Sequence, residues 1–280
     1  MLTEALYIGL VVCILAGVVL FHYKRVQEEN EEIELHTIPF HIPRQTTQGE
    51  EVRNGVPLVI YESWKTHDVP TGMRDNINAL LKTNPEFDYY LYSDEDCAEF
   101  IRGNYSKDVL EAFYSLKPGA YKSDLWRYCI LYKLGGVYLD IKYYSLVPLI
   151  TVVDEVPTAY VKDIGRDCLY NAFLISPPKN EIFKKCIDDI VNSCKNRLYK
   201  RNDLDITGPC LLGSIVKAEF GKDYIKEIPF SHHMSMFMER TITYKGKTIL
   251  KEYARYRIEQ KQSRIGDRYD TLYSKGDIYA

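Results

Sequence analysis

The sequence predicts an α/β domain with a mainly parallel sheet. The alternation of its elements and its composition support this prediction. Short apolar runs alternate with longer segments in which apolar residues recur at helical spacing. Strands that alternate with helices favour parallel pairing, because each helix carries the chain back across the sheet. The 280 residues are 46% hydrophobic and 27% charged, which is typical of a globular protein. The formal net charge of −3 provides no basic field, which argues against a nucleic-acid partner.

The first half of the chain divides into elements at its turn residues. A strand at 56–61 follows an Asn-Gly turn, and a helix at 73–82 carries its apolar residues on one face. A second strand at 87–92 ends before Ser93, which suits the cap of an acidic helix start. Another helix begins near Ser106.

The second half continues this alternation. A Pro-Gly pair breaks the chain before a helix at about 121–134, and an apolar strand follows at 137–141. The remaining expected elements are strands at 159–162 and 170–175 and helices near 180–196 and 211–220.

The helix at 121–134 and the strand behind it carry the strongest functional signal. Asp124 and Arg127 lie three residues apart and share one face of this helix. A Gly-Gly pair ends the helix and permits close backbone approach, and the strand ends at Asp140. Polar ligands bind at the carboxyl edge of sheets in α/β proteins. Two acids and a guanidinium there suit the hydroxyls and charged oxygens of a nucleotide-sugar.

A simpler interpretation is a surface ion pair between Asp124 and Arg127, with the glycines forming a plain turn. Most of the neighbouring residues from 125 to 131 are apolar, so we expect this helix to be mostly buried. A buried charge needs a partner or a ligand. The turn alone also leaves the acid at the end of the strand unexplained.

Residues 5–23 contain no Asp, Glu, Lys or Arg and predict a membrane-spanning helix. Such a helix spans roughly 28 Å at about 1.5 Å per residue, enough to cross a bilayer core. A cleaved signal peptide is the alternative, but Glu4 precedes the run and no small-residue cleavage site follows it. The predicted organisation is an anchor at 1–23, an acidic stem at 24–52 and a catalytic domain at 53–280.

The seven cysteines are scattered and show no C-x-x-C pair or zinc-site spacing. This pattern indicates buried thiols rather than a disulfide framework. It favours a reducing compartment, although a luminal protein can carry one or two bridges.

The segment from Asp124 to Asp140, which ends in Gly-Gly-Val-Tyr-Leu-Asp, resembles the DXD-containing glycosyltransferases of family 32. That family includes yeast-type α-1,6-mannosyltransferases, capsular polysaccharide synthesis enzymes and, more distantly, clostridial glucosylating toxins. Further similarity lies around Trp64, in the Asn-Pro segment at 84–85, and in the blocks at 171–173 and 207–209. The resemblance covers about residues 56–280.

This resemblance implies a Rossmann-like GT-A fold and transfer of a hexose, with retention, from a UDP- or GDP-linked donor to a glycan or glycoconjugate acceptor. By the family's pattern, Trp64 packs near the base, and Asp124 and Arg127 hold ribose and donor-sugar hydroxyls. Asp140 lies near the ribose and a divalent cation, Mn²⁺ or Mg²⁺. The donor site also includes Asn171 and Gly208, which lie in later family blocks.

Lys142 departs from the family's motif, because it stands where most members have a second Asp. A divalent cation held by carboxylates normally neutralises the departing diphosphate. Lys142 could contact the diphosphate itself, with metal weak or absent. Alternatively, a metal binds Asp140, the donor's phosphates and a group from elsewhere, such as His232, His233 or Asp163. In a third alternative, Lys142 points away from the site.

Residues 240–275 are rich in Lys and Arg, with ten such residues against four acids. One or more of them could close over a diphosphate. A solvated or membrane-facing basic surface is the simpler interpretation.

We therefore expect a single-pass membrane glycosyltransferase of the Golgi, the endomembrane system or a host membrane. Its facing stays open: Lys24 and Arg25 favour a cytoplasmic domain, whereas many anchored sugar transferases face the Golgi lumen. Occupancy of the sequon at Asn104 would report the topology. The rival from another class is a non-catalytic glycan-binding or scaffold protein in which Lys142 ended turnover.

Overall fold

The computed structural model describes residues 33–46, 51–164, 167–236, 238–264 and 266–280. Its strands, in chain order, are β1 (Leu35–Thr37), β2 (His41–Ile42), β3 (Val52–Arg53), β4 (Val56–Pro57), β5 (Val59–Ser63), β6 (Asp68–Pro70), β7 (Asp88–Tyr92), β8 (Gly136–Leu139), β9 (Tyr143–Ser145), β10 (Val161–Lys162), β11 (Phe173–Ser176), β12 (Phe230–Met234), β13 (Arg240–Tyr244) and β14 (Lys247–Glu252). Its α-helices are α1 (Thr71–Thr83), α2 (Asp94–Asn104), α3 (Lys107–Ser115), α4 (Gly119–Leu134), α5 (Ile150–Glu155), α6 (Glu181–Lys195), α7 (Pro209–Phe220), α8 (Lys222–Glu227), α9 (Tyr256–Gln262) and α10 (Tyr269–Ser274).

The central sheet is mixed, with the order β11, β8, β5, β7, β2. The three inner strands β8, β5 and β7 are parallel, as the alternation of strands and helices predicts. Both edge strands, β11 and β2, run antiparallel to their neighbours. The fold is therefore mixed α/β, and the expectation of a mainly parallel sheet holds only for its centre.

A second five-stranded sheet, with the order β10, β12, β13, β14, β9, was not predicted. All its pairings are antiparallel except that of β10 with β12. Its strands β13 and β14 join at a Lys-Gly turn, where Lys245 and Gly246 both have positive φ. Charged residues interrupt the apolar pattern of these strands, so their sequence has the appearance of a basic surface rather than a sheet.

Residues of the predicted stem contribute strands to the domain. β1 pairs with β6, and β2 pairs with β7 and forms one edge of the central sheet. The folded unit therefore begins at least as early as Leu35. Within the described part of the chain, the structure contains no helix of the length and apolarity that a bilayer crossing requires. The anchor predicted at 5–23 lies outside that part.

Helix α4 is buried on all sides around its middle, where residues 124–131 are consecutively buried. Gly135 ends the helix with φ 69°, and an added Cβ there would lie 2.6 Å from the backbone nitrogen of Pro178. Gly136 has φ 108°, and its Cβ would lie 3.0 Å from the carbonyl oxygen of Val59. The Gly-Gly pair is thus required for both conformation and close approach, and it brings β8 directly against β5.

A disulfide joins Cys168 and Cys210, which lie 42 positions apart in sequence. The expectation of buried thiols holds for the other described cysteines, which are free and buried at 97, 129, 186 and 194. It is wrong for the bridged pair, because sequence spacing could not reveal that the start of α7 packs beside the loop before β11. A structural disulfide is typical of an oxidising compartment.

Glu62 is a fully buried acid on the central strand β5, and its burial was not predicted from the sequence. Its Oε2 accepts a hydrogen bond of 2.7 Å from the Tyr89 hydroxyl, and its Oε1 has no partner among the described residues. Burial raises the pKa of this carboxyl to about 8, and the charge of Asp140 adds to that effect. Glu62 is therefore neutral in the folded protein at pH 7.

The disulfide should stabilise the domain by restricting the unfolded chain. We expect the double substitution Cys168→Ser with Cys210→Ser to lower the free energy of unfolding by about 4 kcal/mol, as for a closed loop of this length. Dithiothreitol should lower the Tm of the unmodified protein and leave the Tm of the double variant unchanged, as measured by calorimetry. Equal responses of the two proteins to reductant would contradict the bridge.

Glu62 should make the domain less stable as the pH rises. Its folded pKa lies above its unfolded value, so its contribution is complete below pH 4.5 and is lost progressively up to about pH 8. We expect Glu62→Gln to flatten this decline in urea denaturation between pH 5 and 8, since the amide can accept the same bond from Tyr89. The exposed Glu227→Gln is the matched control. Parallel pH profiles for the Glu62→Gln variant and the unmodified protein would refute this assignment.

Candidate functional site

The guanidinium of Arg127 lies at the centre of the predicted charged cluster. Its Nη2 lies 3.2 Å from Asp124 Oδ1, and its Nη1 lies 3.5 Å from Asp140 Oδ1. Only 5% of Arg127 is exposed. The helix-borne acid, the guanidinium and the strand-end acid therefore share one site, as the sequence predicts.

Asp124 is held through both of its carboxylate oxygens. Its Oδ1 accepts a hydrogen bond of 2.8 Å from the Asn171 side-chain amide, and its Oδ2 accepts one of 2.7 Å from the Thr207 hydroxyl. Burial raises the pKa of Asp124, and the positive charge of Arg127 opposes this rise. At Gly208, an added Cβ would lie 3.2 Å from Asp124 Oδ2, so a larger residue would crowd the carboxylate.

Further contacts fix the plane of the Arg127 guanidinium. Nη1 donates to the carbonyl oxygen of Asn171 at 2.7 Å, and Nη2 donates to the Ser123 hydroxyl at 3.1 Å. The guanidinium carbon lies 4.3 Å from the centre of the Tyr138 ring. Desolvation by burial would lower the pKa of Arg127, but the neighbouring tyrosine and carboxylates outweigh it and raise the pKa. The guanidinium thus remains charged and in a fixed orientation.

Asp140 is the most open carboxylate of the cluster, with 22% of its side chain exposed. Its Oδ1 accepts a hydrogen bond of 2.8 Å from Tyr138, and its Oδ2 accepts one from the Lys142 ammonium. Burial works to raise its pKa, but the charges of Lys142 and Arg127 dominate and lower it. Asp140 is therefore ionised throughout the neutral range and is the acid that a ligand can reach most easily.

Lys142 turns inward, which excludes the alternative in which it points away from the site. It is 5% exposed and lies among three tyrosine rings. The distances from its Nζ to the ring centres are 5.2 Å for Tyr143, 5.4 Å for Tyr170 and 5.9 Å for Tyr256. Such a setting attracts a cation through the negative faces of the rings.

The other predicted site residues lie around this cluster. Trp64 follows β5, and its backbone nitrogen donates to Tyr92 at 3.0 Å, so it lies at the same carboxyl edge as Asp140. Its indole Nε1 is buried and has no partner among the described residues. Asn171 contacts both Asp124 and Arg127, and Gly208 borders Asp124. The structure therefore brings the predicted residues to one edge of the central sheet.

The two histidines offered as alternative metal ligands point to opposite faces of β12. His232 Nδ1 lies 3.0 Å from Asp163 Oδ1, and its ring stacks on Tyr170 with a centre separation of 3.8 Å. His233 is exposed and contacts Thr243 at 3.1 Å. Burial lowers the pKa of His232 and keeps its imidazole neutral at pH 7.

A divalent cation, which the DXD resemblance implies, would bind the donor's phosphates, Asp140 and at least one further side chain. Over the described ranges, no three His, Cys, Asp or Glu side chains are grouped so that they could hold a metal ion. Asp140 already pairs with one ammonium and one guanidinium. The residues present do not fit such a cation.

Several contributing residues were missed in the sequence. Thr207 holds Asp124, and Ser123 orients Arg127, but single hydroxyl residues carry no recognisable spacing. Two of the three tyrosines around Lys142 are sequence neighbours of predicted residues, namely Tyr143 beside Lys142 and Tyr170 beside Asn171. That adjacency was an available signal. Tyr256 comes from the C-terminal segment, and only the tertiary fold reveals it.

Most of the basic residues from 240 to 275 are exposed, and several of them pair with acids. Arg257 makes a two-point contact with Glu252, and Lys275 lies 2.6 Å from Asp267. Helix α9 in this region packs onto α1, where Glu259 accepts a hydrogen bond of 3.0 Å from the Gly72 backbone. Tyr256, the first residue of α9, lies beside Lys142, so the segment borders the site there.

Comparisons with known proteins agree with the resemblance found in the sequence. The family model for the "Glycosyltransferase sugar-binding region containing DXD motif" matches residues 70–160. The chain is 34% identical over 86 residues to the inositol phosphoceramide mannosyltransferase 3 of Schizosaccharomyces pombe, which covers 31% of this chain and 24% of that relative. It is 37% identical over 99 residues to the initiation-specific alpha-1,6-mannosyltransferase of Candida albicans, which covers 33% and 26%. These alignments span about a quarter of each relative's length.

A solved structure described as PaToxG Glycosyltransferase aligns with 61% of this chain and 72% of that chain, at 14% identity and a TM-score of 0.48. That score is too low to establish a common fold. The matched residues 70–160 contain Asp124, Arg127 and Asp140. The resemblance to the DXD-containing glycosyltransferases is therefore confirmed for this segment of the chain.

Proposed function

We propose that this protein transfers a hexose from a nucleoside diphosphate sugar to a glycan or glycoconjugate acceptor, on a GT-A-like fold. The observation that carries this proposal is the convergence of Asp124, Arg127 and Asp140 on one buried network at the carboxyl edge of the parallel strands. Hydroxyl groups of a ribose or a sugar suit the carboxylates, and phosphate oxygens suit the guanidinium.

The exposure of each side chain suggests its role. Asp140 is the most accessible acid and would accept hydrogen bonds from the ribose or the donor sugar. Arg127 lies behind it and would stabilise charge that develops on the diphosphate. Asp124 would bind a sugar hydroxyl and keeps the guanidinium in place. Trp64, at the carboxyl end of β5, would pack near the nucleotide's base.

Mannose is the first candidate for the transferred sugar. The two curated relatives are named as mannosyltransferases, one acting on inositol phosphoceramide and one specific for initiation of an alpha-1,6 linkage. Retention of the anomeric configuration belongs to the same proposal, because a front-face transfer requires no protein base. The cluster offers no free base, since Asp140 is paired with Lys142 and Asp124 accepts a hydrogen bond at each of its oxygens.

A catalytically silent glycan-binding or scaffold protein is the second candidate. The observation that favours it is the ion pair between Lys142 and Asp140, which occupies the acid that would otherwise bind a metal. Turnover of a donor sugar separates the two proposals, because a silent protein releases no nucleoside diphosphate.

We infer that the domain faces an oxidising lumen. The disulfide between Cys168 and Cys210 supports this facing, and Asn104 of the sequon is exposed at the end of α2. Both features can be modified or formed only on the luminal side. This inference favours the luminal facing over the cytoplasmic facing that Lys24 and Arg25 indicate.

Transfer should depend on the planar geometry of the Arg127 guanidinium as well as on its positive charge. With a panel of UDP- and GDP-sugars, we expect the full chain to release nucleoside diphosphate from at least one donor. Arg127→Lys should lower kcat roughly 100-fold, because one ammonium cannot make the same set of directed bonds. The exposed Asp223→Asn is the control and should retain full activity. If no donor is turned over, and none raises the Tm of the unmodified protein, the proposal of transfer is wrong.

Expression of the full chain in eukaryotic cells tests its facing. We expect an electrophoretic shift that a glycosidase removes and that Asn104→Gln abolishes. Maleimide labelling of the unfolded, unreduced protein should leave Cys168 and Cys210 unmodified. An unglycosylated protein with both of these thiols labelled would place the domain in the cytoplasm instead.

A further inference from the structure

We propose that the ammonium of Lys142 is a built-in cation for the departing diphosphate and that transfer proceeds without a divalent metal. This inference deepens the proposed sugar transfer and rests on it. The DXD resemblance leads to the opposite expectation, because the family's second motif acid would ordinarily help to hold a metal. The contacts of Lys142 favour transfer without a metal over transfer with one.

The first argument is that the positive charge is fixed in position. The side chain is 7% exposed, and its ammonium pairs with Asp140 inside the cage of Tyr143, Tyr170 and Tyr256. The backbone oxygen of Lys142 also accepts a hydrogen bond of 3.0 Å from the Tyr253 nitrogen. A flexible surface lysine lacks such contacts. These contacts therefore hold the positive charge of Lys142 at a fixed position in the site.

The second argument is that the ammonium belongs to the charged cluster itself. Lys142 pairs with one oxygen of Asp140, and the other oxygen lies 3.5 Å from Arg127 Nη1, so both cations border the most accessible acid of the site.

The third argument is that this charge competes directly with a metal for Asp140. One oxygen of that carboxylate accepts from Lys142, and the other accepts from Tyr138 and lies 3.5 Å from Arg127. A divalent cation at Asp140 would meet two fixed positive charges and would find no group of three His, Cys, Asp or Glu ligands in the described ranges. Lys142 and Arg127 together already supply two positive charges.

The fourth argument is hydrogen-bonding capacity. An ammonium has three N–H donors, and within the part of the chain that the structure describes, Lys142 gives one to Asp140. The remaining donors can meet phosphate oxygens. When the acceptor's hydroxyl oxygen bonds to the sugar's anomeric carbon, the bond from that carbon to the phosphate oxygen breaks, and its electron pair stays on the phosphate. The acceptor's proton passes to the departing diphosphate on the same face. Lys142 and Arg127 stabilise the negative charge that develops there, and neither side chain gives up a proton.

Calorimetric titration of the full chain with UDP and GDP tests the metal requirement without turnover. In EDTA and in Mn²⁺, we expect the same Kd within about twofold for the nucleotide that binds. Donor turnover should likewise be equal in the two media. Binding that appears only with Mn²⁺ would overturn the built-in cation alone, whereas no binding in either medium would overturn sugar transfer and this inference together.

Substitutions at Lys142 provide the second test. Lys142→Met should weaken nucleoside diphosphate binding at least tenfold in EDTA, and Mn²⁺ should not restore it. Lys142→Asp recreates the family's acid and should bind Mn²⁺, which paramagnetic resonance detects, and its nucleotide affinity should become Mn²⁺-dependent. Lys251→Met, on neighbouring β14, is the matched control and should bind nucleotide normally. An unchanged Kd in a folded Lys142→Met variant, as judged by its Tm, would refute the inference.

Discussion

The site depends on four charged side chains that are largely buried and whose charges balance. Arg127 and Lys142 carry two positive charges, and Asp124 and Asp140 carry two negative ones. Removing such groups from water is costly, and each remains charged only because its partners stay in place. The surrounding elements are arranged to meet this condition: α4 supplies two members, the end of β8 supplies the other two, and hydroxyl and amide groups from later segments occupy the remaining lone pairs.

The charge balance also explains why segments distant in sequence are drawn into the site. Asn171 bonds to both Asp124 and Arg127, and Thr207 bonds to Asp124. The C-terminal segment adds the ring of Tyr256, whose centre lies 5.9 Å from the Lys142 ammonium. Without these contacts the cluster would contain unsatisfied buried donors and acceptors, each of which weakens the fold. The contacts that assemble the site therefore also stabilise the domain.

The local features of this domain could be predicted from its sequence, whereas the features that depend on long-range contacts could not. The helix that carries Asp124, its Gly-Gly end and the strand before Asp140 follow from periodicity and turn residues. The inward position of Lys142 does not, because the tyrosines that hold it lie at 143, 170 and 256. Strands β12 to β14 were missed because charges interrupt their apolar pattern. The bridge between Cys168 and Cys210 was missed because pairing depends on which loops meet in space.

The position of that bridge has a consequence for how the protein matures. Cys168 lies three residues before Asn171, and Cys210 lies three residues after Thr207, so one covalent link clamps the two short loops that grip opposite oxygens of Asp124. A newly made chain with free thiols has to hold these loops by weak forces alone. Formation of the bridge restricts both loops at once and keeps the two hydrogen-bond donors to Asp124 near each other. In a chain whose thiols stay reduced, we expect Asn171 and Thr207 to hold Asp124 less firmly.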